Sequence, residues 1–414
     1  MTQHDRSLSP ATRSTATGEV PFEADTLLYS RTDKRGLLVD VSTDFCNVSG
    51  YDYSELVGAA HKNMPHPDMP KGIGQLSTER LGAGLQMLAY VKNKSKDGRY
   101  FWVLSVSWPL EEGYLSIRIK PMSEVRDKVE AAYKTLHADE EEQKLSSAQS
   151  VANVITAVQS YGFMDYEDFM SRTLRAEVEA IAENHHTQLS AAQQRYFSMY
   201  DTVVKLGREV TGLVDVIQAI RTMPMNMRIL ASRLENVGGP ISAISVNYSQ
   251  MLEDMSSWIK EFSDGPKSTF SRIKGEIAKG QFQVCANDLL TRMAAQYAEE
   301  VKGGDPRKLK EQEILEAQAA ASRDYANDAL KSIETEVRRL SRSVLDMKRY
   351  VTGLSSTRMM CKIEAASLGN SDTALNGIVE QLDDRQNEIE RRLAQIIELN
   401  AGIQGDSAML RSME

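Results

Sequence analysis

Residues 61–71 read HKNMPHPDMPK, which sets His61, His66 and Asp68 in a stretch stiffened by three prolines. Imidazoles beside a carboxylate can hold a metal or haem, line a cofactor pocket, or close a turn through hydrogen bonds. Other chemistry-bearing groups are poorer in geometry. ENHH at 183–186 puts His185 and His186 on diverging directions of a helix, whereas metal capture needs convergence, so a solvated helix face is read there. ADEEEQK at 138–144 reads as a solvated helix or linker. GGDP at 303–306 shares the opening letters of a cyclic-dinucleotide synthase motif, but no Glu-Phe follows, and a helix-stop turn is read instead. Cys46, Cys285 and Cys361 are far apart and odd in number, which gives neither a disulfide framework nor a CxxC pair. No P-loop, nucleophile elbow or HExxH motif occurs, so no catalytic activity is expected.

The 414 residues are too many for one ordinary core, and a net charge of −9 argues against nucleic acid or an anionic membrane as the main partner. No apolar stretch long enough to span a bilayer is found, so no membrane insertion is expected. A cytoplasmic protein in a reducing compartment is the expectation.

Two kinds of element must position these residues. The Ser/Thr/Pro/Gly-rich segment 1–22 reads as a disordered arm. From 23 to 121 an α+β domain is predicted, with strands at TLLYSRT and LLVDV, a helical patch around TDFCNVSGY, and an antiparallel meander from LQMLAYVKN, YFWVLSVSWPL and YLSIRI. Helical spacing takes over after Pro121. A linker helix over 122–160 and an all-α bundle or coiled-coil region over 161–414 are expected, the latter for signalling and dimerisation. One apolar seam runs from Leu213 to Phe262 and a second from Leu330 to Leu354, with breaks at TMPM, GGP, DGP, GGDP and LGNSD. A long hairpin and a compact bundle both satisfy these seams.

The series DFCNVSGYDYSELVG, HKNMPHPDMPK, VKNKSKDGRYFWVLSVSWPL and GYLSIRIKP resembles, in order and spacing, the PAS domain of bacterial aerotaxis receptors. The resemblance covers about a quarter of the chain. It implies a five-stranded antiparallel sheet with short helices over one face, and FAD between them, whose redox state reports respiration. Carried over by motif, His66, Asp68 and Asn93 are candidate cofactor contacts, joined by Ser42 at a family Asn position and by Trp102 in the meander. Pro65 stands where the family has Arg, and Thr78 and Met87 where it has Trp, so a small-ligand or empty core and a haem held by His66 or His61 remain open. Asp68 as the N-cap of the following helix and Trp102 as core packing are the plain alternatives for those residues. NMRILASRLENVGGPISAISVNYSQM at 226–251 resembles a chemoreceptor tip, which would imply the chemotaxis kinase and its coupling protein as partners. The reading overall is a signal-transduction protein that senses redox, oxygen or a small ligand and signals through helical contacts as a homodimer. A flavin- or haem-binding redox protein whose helices serve only for dimerisation is the alternative.

Overall fold

Strand residues of the N-terminal region alternate between small or hydroxyl-bearing side chains and large apolar ones, which gives the sheet two unlike faces. The structure, a computed structural model, describes residues 17–233, 238–263, 265, 268–302, 306–367 and 373–413. Residues 1–16 of the expected arm, the tip at 234–237, most of GGDP and LGNSD, and part of DGP lie outside the described residues.

The element order is β1 (Leu28–Asp33), β2 (Leu38–Val41), α1 (Thr43–Ser49), α2 (Tyr53–Leu56), a 3-10 turn (His61–Asn63), α3 (Lys71–Gly82), β3 (Met87–Lys94), β4 (Tyr100–Leu110) and β5 (Gly113–Ile119). Helices follow: α4 (Val125–Gln143), α5 (Ser147–Ser160), α6 (Tyr166–Asn184), α7 (Ala191–Ile220), α8 (Met223–Arg233), α9 (Gly239–Ser263), α10 (Thr269–Lys302), α11 (Pro306–Ser367) and α12 (Thr373–Arg411). The strands form a five-stranded sheet in the order β2-β1-β5-β4-β3, each neighbouring pair antiparallel. This is the expected α+β architecture followed by helix.

The chain divides into two compact units, Met1–Gln193 with Gln281–Ala326, and Gln194–Gly280 with Asn327–Glu414. The division departs from the linear partition read from sequence, because residues 281–326 belong with the sheet. Register explains why. One face carries Ser30, Thr32, Met87, Ala89, Ser105, Ser107 and Ser116, and packs towards α1 to α3. The other carries Tyr29, Arg31, Tyr90, Trp102, Trp108 and Ile117, all buried, and such a face needs cover. Tyr133 of α4 and Tyr166 of α6 cover one part, donating from their hydroxyls to the carbonyls of Tyr90 at 3.1 Å and Leu88 at 2.8 Å. The later parts of the first unit cover the rest. Tyr297 stacks edge-on against Tyr29 with centroids 5.0 Å apart, and Arg31 grips Glu311 through Nε at 2.8 Å and Nη2 at 2.6 Å. The Tyr29 hydroxyl also donates to Glu311, and Lys308 reaches Asp40 of β2 at 3.3 Å.

Three expectations are corrected here. The arm is ordered by residue 20: Val20 is buried in the core and its N–H donates to the Tyr100 carbonyl at 2.7 Å. The linker over 122–160 is two helices, because Lys144 turns into the left-handed region at φ 49° and Ser146 with Gln149 forms a capping box that starts α5. The acidic run 138–144 is not merely solvated. Glu140 is 4% exposed and its two carboxylate oxygens accept from the N–H groups of Lys71 and Gly72 at 2.7 and 2.8 Å, capping α3 from another helix. Asp68 therefore does not cap α3. Close approach of α5 accompanies this clamp, since a Cβ on Gly72 would lie 2.7 Å from the Ser150 carbonyl oxygen.

In the second unit the seam from Leu330 to Leu354 is buried at each of its eight positions, Leu330, Ile333, Val337, Leu340, Val344, Met347, Val351 and Leu354. The seam along α7 to α9 is buried at Leu213, Ile217, Met227, Ile241, Tyr248 and Met255, while Leu230, Met251 and Trp258 are half-buried. Bonds close a ring of helices: Arg392 of α12 to Glu209 of α7, Asn400 of α12 to Ser341 of α11, Trp258 of α9 to Ser343 of α11, and Ser245 of α9 to the Pro224 carbonyl of α8. The seams are thus satisfied within one chain as a bundle. Among the described residues no helix is long and apolar enough to cross a membrane.

Replacing Glu311 with Ala leaves a buried guanidinium without its anion. Loss of about 3–5 kcal/mol is expected in chemical denaturation followed by tryptophan fluorescence, whose reporters Trp102 and Trp108 lie on that sheet face.

Candidate functional site

Between α3 and the hydroxyl-bearing sheet face lies a cavity of about 660 Å³, within the range of small-molecule sites. Its floor follows from period-two alternation: Ser30 and Thr32 from β1, Ser105 and Ser107 from β4, and Tyr114 and Ser116 from β5. The Ser107 and Ser116 hydroxyls bond each other across the strands at 2.8 Å. Ile73, Leu81, Met87, Ala89 and Val91 add an apolar wall, and Lys34, Arg35, Lys62 and Lys71 line the mouth. No Asp or Glu is among the described residues that line it. Such a site suits an anionic ligand rich in hydrogen-bonding groups.

Beside the floor sits Arg118, 2% exposed, which donates to Ser30 Oγ and His61 Nε2, each at 2.8 Å. Because guanidinium only donates, His61 Nε2 accepts and its proton resides on Nδ1. Burial, with the Arg118 charge beside it, drives the His61 pKa down to about 3, so the ring is neutral. Burial lowers Arg118 to about 10. The ring face of Phe45 lies 5.3 Å from its guanidinium carbon.

The sequence-derived candidates separate. His66 lines the cavity, and its backbone N–H donates to the Lys92 carbonyl at 2.7 Å, so the loop closes onto the edge of β3. Burial lowers the His66 pKa against the opposing pull of Asp68, whose carboxylate lies 3.0 Å from Nδ1. Asp68 itself is exposed and pairs with Lys92 Nζ at 2.6 Å, a bond that holds its pKa below the usual range; it does not line the cavity. Ser42 is also outside the lining: its Oγ caps α1 by accepting from Phe45 N at 3.2 Å and takes the Tyr29 N–H at 3.1 Å. Trp102 lies on the opposite sheet face, its ring 6.2 Å from that of Tyr133, because even positions of β4 point away from the cavity. Asn93 is buried with its amide nitrogen unpartnered and does not line the cavity either. Thr78 and Met87 do line it, as do Pro65 and His61. His185 and His186 are exposed beyond α6, and no metal-holding cluster of three ligands occurs among the described residues.

Sequence reasoning missed the serine floor and Arg118. The signal was present as hydroxyls at every second strand position, in YSRT, LSVSW and YLSIR, and as a lone cation between isoleucines.

No family model matches the chain. Over 123 residues it is 36% identical to the aerotaxis receptor of Escherichia coli (strain K12), a match that covers 28% of this chain. The sheet and its flanking helices are a PAS domain similar to that of the receptor. The chain spans 24% of the length of that curated relative. Solved structures similar to the chain include a light-oxygen-voltage domain studied with a flavin analogue, at 22% identity over 29% of this chain and 87% of that one, with a TM-score of 0.22. A second is the blue-light activated histidine kinase EL346 of Erythrobacter litoralis, at 16% identity over 40% of this chain and 59% of that one, also with a TM-score of 0.22. The PAS assignment rests on the strand order and the receptor match.

His61 gives the PAS domain a pH dependence of definite sign. The folded chain holds the His61 pKa at about 3, against 6.5 for a free imidazole, so the unfolded chain binds the extra proton between those values. This contribution to stability is complete above pH 6.5 and is lost as pH falls towards 3. Melting temperatures measured across that window should fall with pH. His61→Gln, which keeps an acceptor for Arg118, should flatten the slope by up to ~1.4 kcal/mol per pH unit.

Proposed function

We propose that this chain is a sensor without catalytic activity of its own, in which the PAS cavity binds a flavin dinucleotide and the helices carry the output to partner proteins. The observation that carries the reading is the cavity: a hydroxyl floor, an apolar wall and a four-cation mouth without a carboxylate among its described lining residues. The residues fit the group in charge and polarity. Lys34, Arg35, Lys62 and Lys71 would hold the pyrophosphate, the serines of β4 and β5 the polar edge of the ring system, and Ile73, Leu81 and Val91 its apolar part. When bound, flavin supplies reversible electron uptake that reports the redox state around it. Haem has less support, because His61 Nε2 is committed to Arg118 and His66 Nδ1 faces Asp68.

Transmission follows from the strand that lies under the ligand. Ser30 and Thr32 of β1 line the cavity while Tyr29 and Arg31 of the same strand hold Glu311 of α11 on the other face. A change in the hydrogen bonding of the floor therefore bears on α11, and the Glu140 clamp ties the cavity wall α3 to α4 in the same way. A homodimer, with the chemotaxis kinase and its coupling protein as partners, is the output that the resemblance of 226–251 suggests.

The test is the visible absorption of the purified full-length chain, with mass analysis of what denaturation releases. Flavin dinucleotide in near-equal ratio to protein is expected, and Ser105→Phe, which fills the floor, should lose it while the fold persists by circular dichroism. A wild-type protein that releases no flavin after reconstitution with excess FAD would refute the assignment.

A further inference from the structure

A second, smaller cavity of about 200 Å³ lies among α4, α5 and α6. Its walls are the rings of Tyr133, Phe163, Tyr166 and Phe169 together with aliphatic side chains such as Val129 and Val158. The phenol oxygens of Tyr133 and Tyr166 are turned to the Tyr90 and Leu88 carbonyls, so these residues present ring carbon to the space. An apolar cavity of this size stays dry and accepts a benzene-sized body, as an engineered cavity of ~150 Å³ does. Two cations stand in its lining, Lys128 and Arg172, and no carboxylate does among the described residues. Arg172 is set over the Phe163 ring at 4.3 Å, with Nη1 on the Gly162 carbonyl at 3.0 Å and only a long 3.5 Å contact to Asp168. Lys128 makes no ion pair among the described residues.

We infer that this cavity is a second ligand site, distinct from the PAS cavity, for a small aromatic or short aliphatic carboxylic acid whose apolar body enters among the rings and whose carboxylate meets Arg172 and Lys128. Ile73 of α3 lines both cavities, so an acid bound here sets the position of the helix that walls the first. The site is one at which a small organic acid tunes the sensor.

Titration calorimetry of the full-length protein with benzoate and its neutral counterpart benzyl alcohol tests the inference. Benzoate should bind roughly tenfold more tightly than the alcohol, the worth of one charge-assisted contact. Arg172→Gln should bring benzoate to the level of the alcohol. Ala157→Phe, which fills the cavity, should abolish both without altering the absorption of the PAS ligand. Should Ala157→Phe not fold, a crystal structure with 4-bromobenzoate locates the acid directly through its bromine, which is expected between α4 and α6. Equal affinity for acid and alcohol, no binding at millimolar concentration, binding that survives Ala157→Phe, or bromine in the PAS cavity alone would each overturn it.

Discussion

A guanidinium cannot remain in the apolar face of a β-sheet without an anion, and the pairing of Arg31 with Glu311 is the constraint around which the first unit is organised. Both side chains are nearly out of solvent. The Glu311 hydrogen bond raises the Arg31 pKa, and burial, with Glu311 beside it, raises that of the Tyr29 hydroxyl, so the cluster is locked as cation, anion and neutral phenol. Because the anion comes from a helix that begins nearly three hundred residues later, the sheet is complete only when that helix is in place.

Carboxylates from distant helices recur as the joints of this unit. Glu177 of α6 is fully buried and accepts from the Tyr90 and Ser123 hydroxyls and from the Met122 and Ser123 amides, holding the exit from β5 into α4. Glu140 holds the start of α3. Each is surrounded by donors that would otherwise lack partners inside the protein, which is why these joints resist local opening. The cavity is therefore enclosed by elements whose ends are tied to helices outside the PAS fold.

The two sheet faces divide the work. Serine at alternate positions leaves room and hydrogen bonds for a ligand on one face, while aromatic residues at the intervening positions form the contact with the helices. A PAS cavity and an output surface back to back on one sheet make a short route between them, and no catalytic residue is needed along it.

Much of this was legible in the chain itself. Alternation with turn formers at SKDG and EEG predicts the meander, and β3, β4 and β5 follow it closely; the eight-residue seam of α11 is buried throughout because three-four spacing is a local property of a helix. The motif around HKNMPHPDMPK likewise places His66 on a pocket. Trp102 and Ser42 went to the wrong role because sequence proximity to a motif does not state which face of a strand a residue takes once register and bulges are set. Nor can local pattern show that Glu140, Glu177 and Glu311 are buried, since a glutamate on a helix reads as solvated until a distant donor is brought to it. The sequence by itself determined the elements, their order and the PAS resemblance, all consequences of short-range periodicity and spacing. Only the tertiary structure decided that residues 281–326 complete the sheet and that Arg118 lies beside the cavity, because burial and charge pairing depend on groups far apart in the chain.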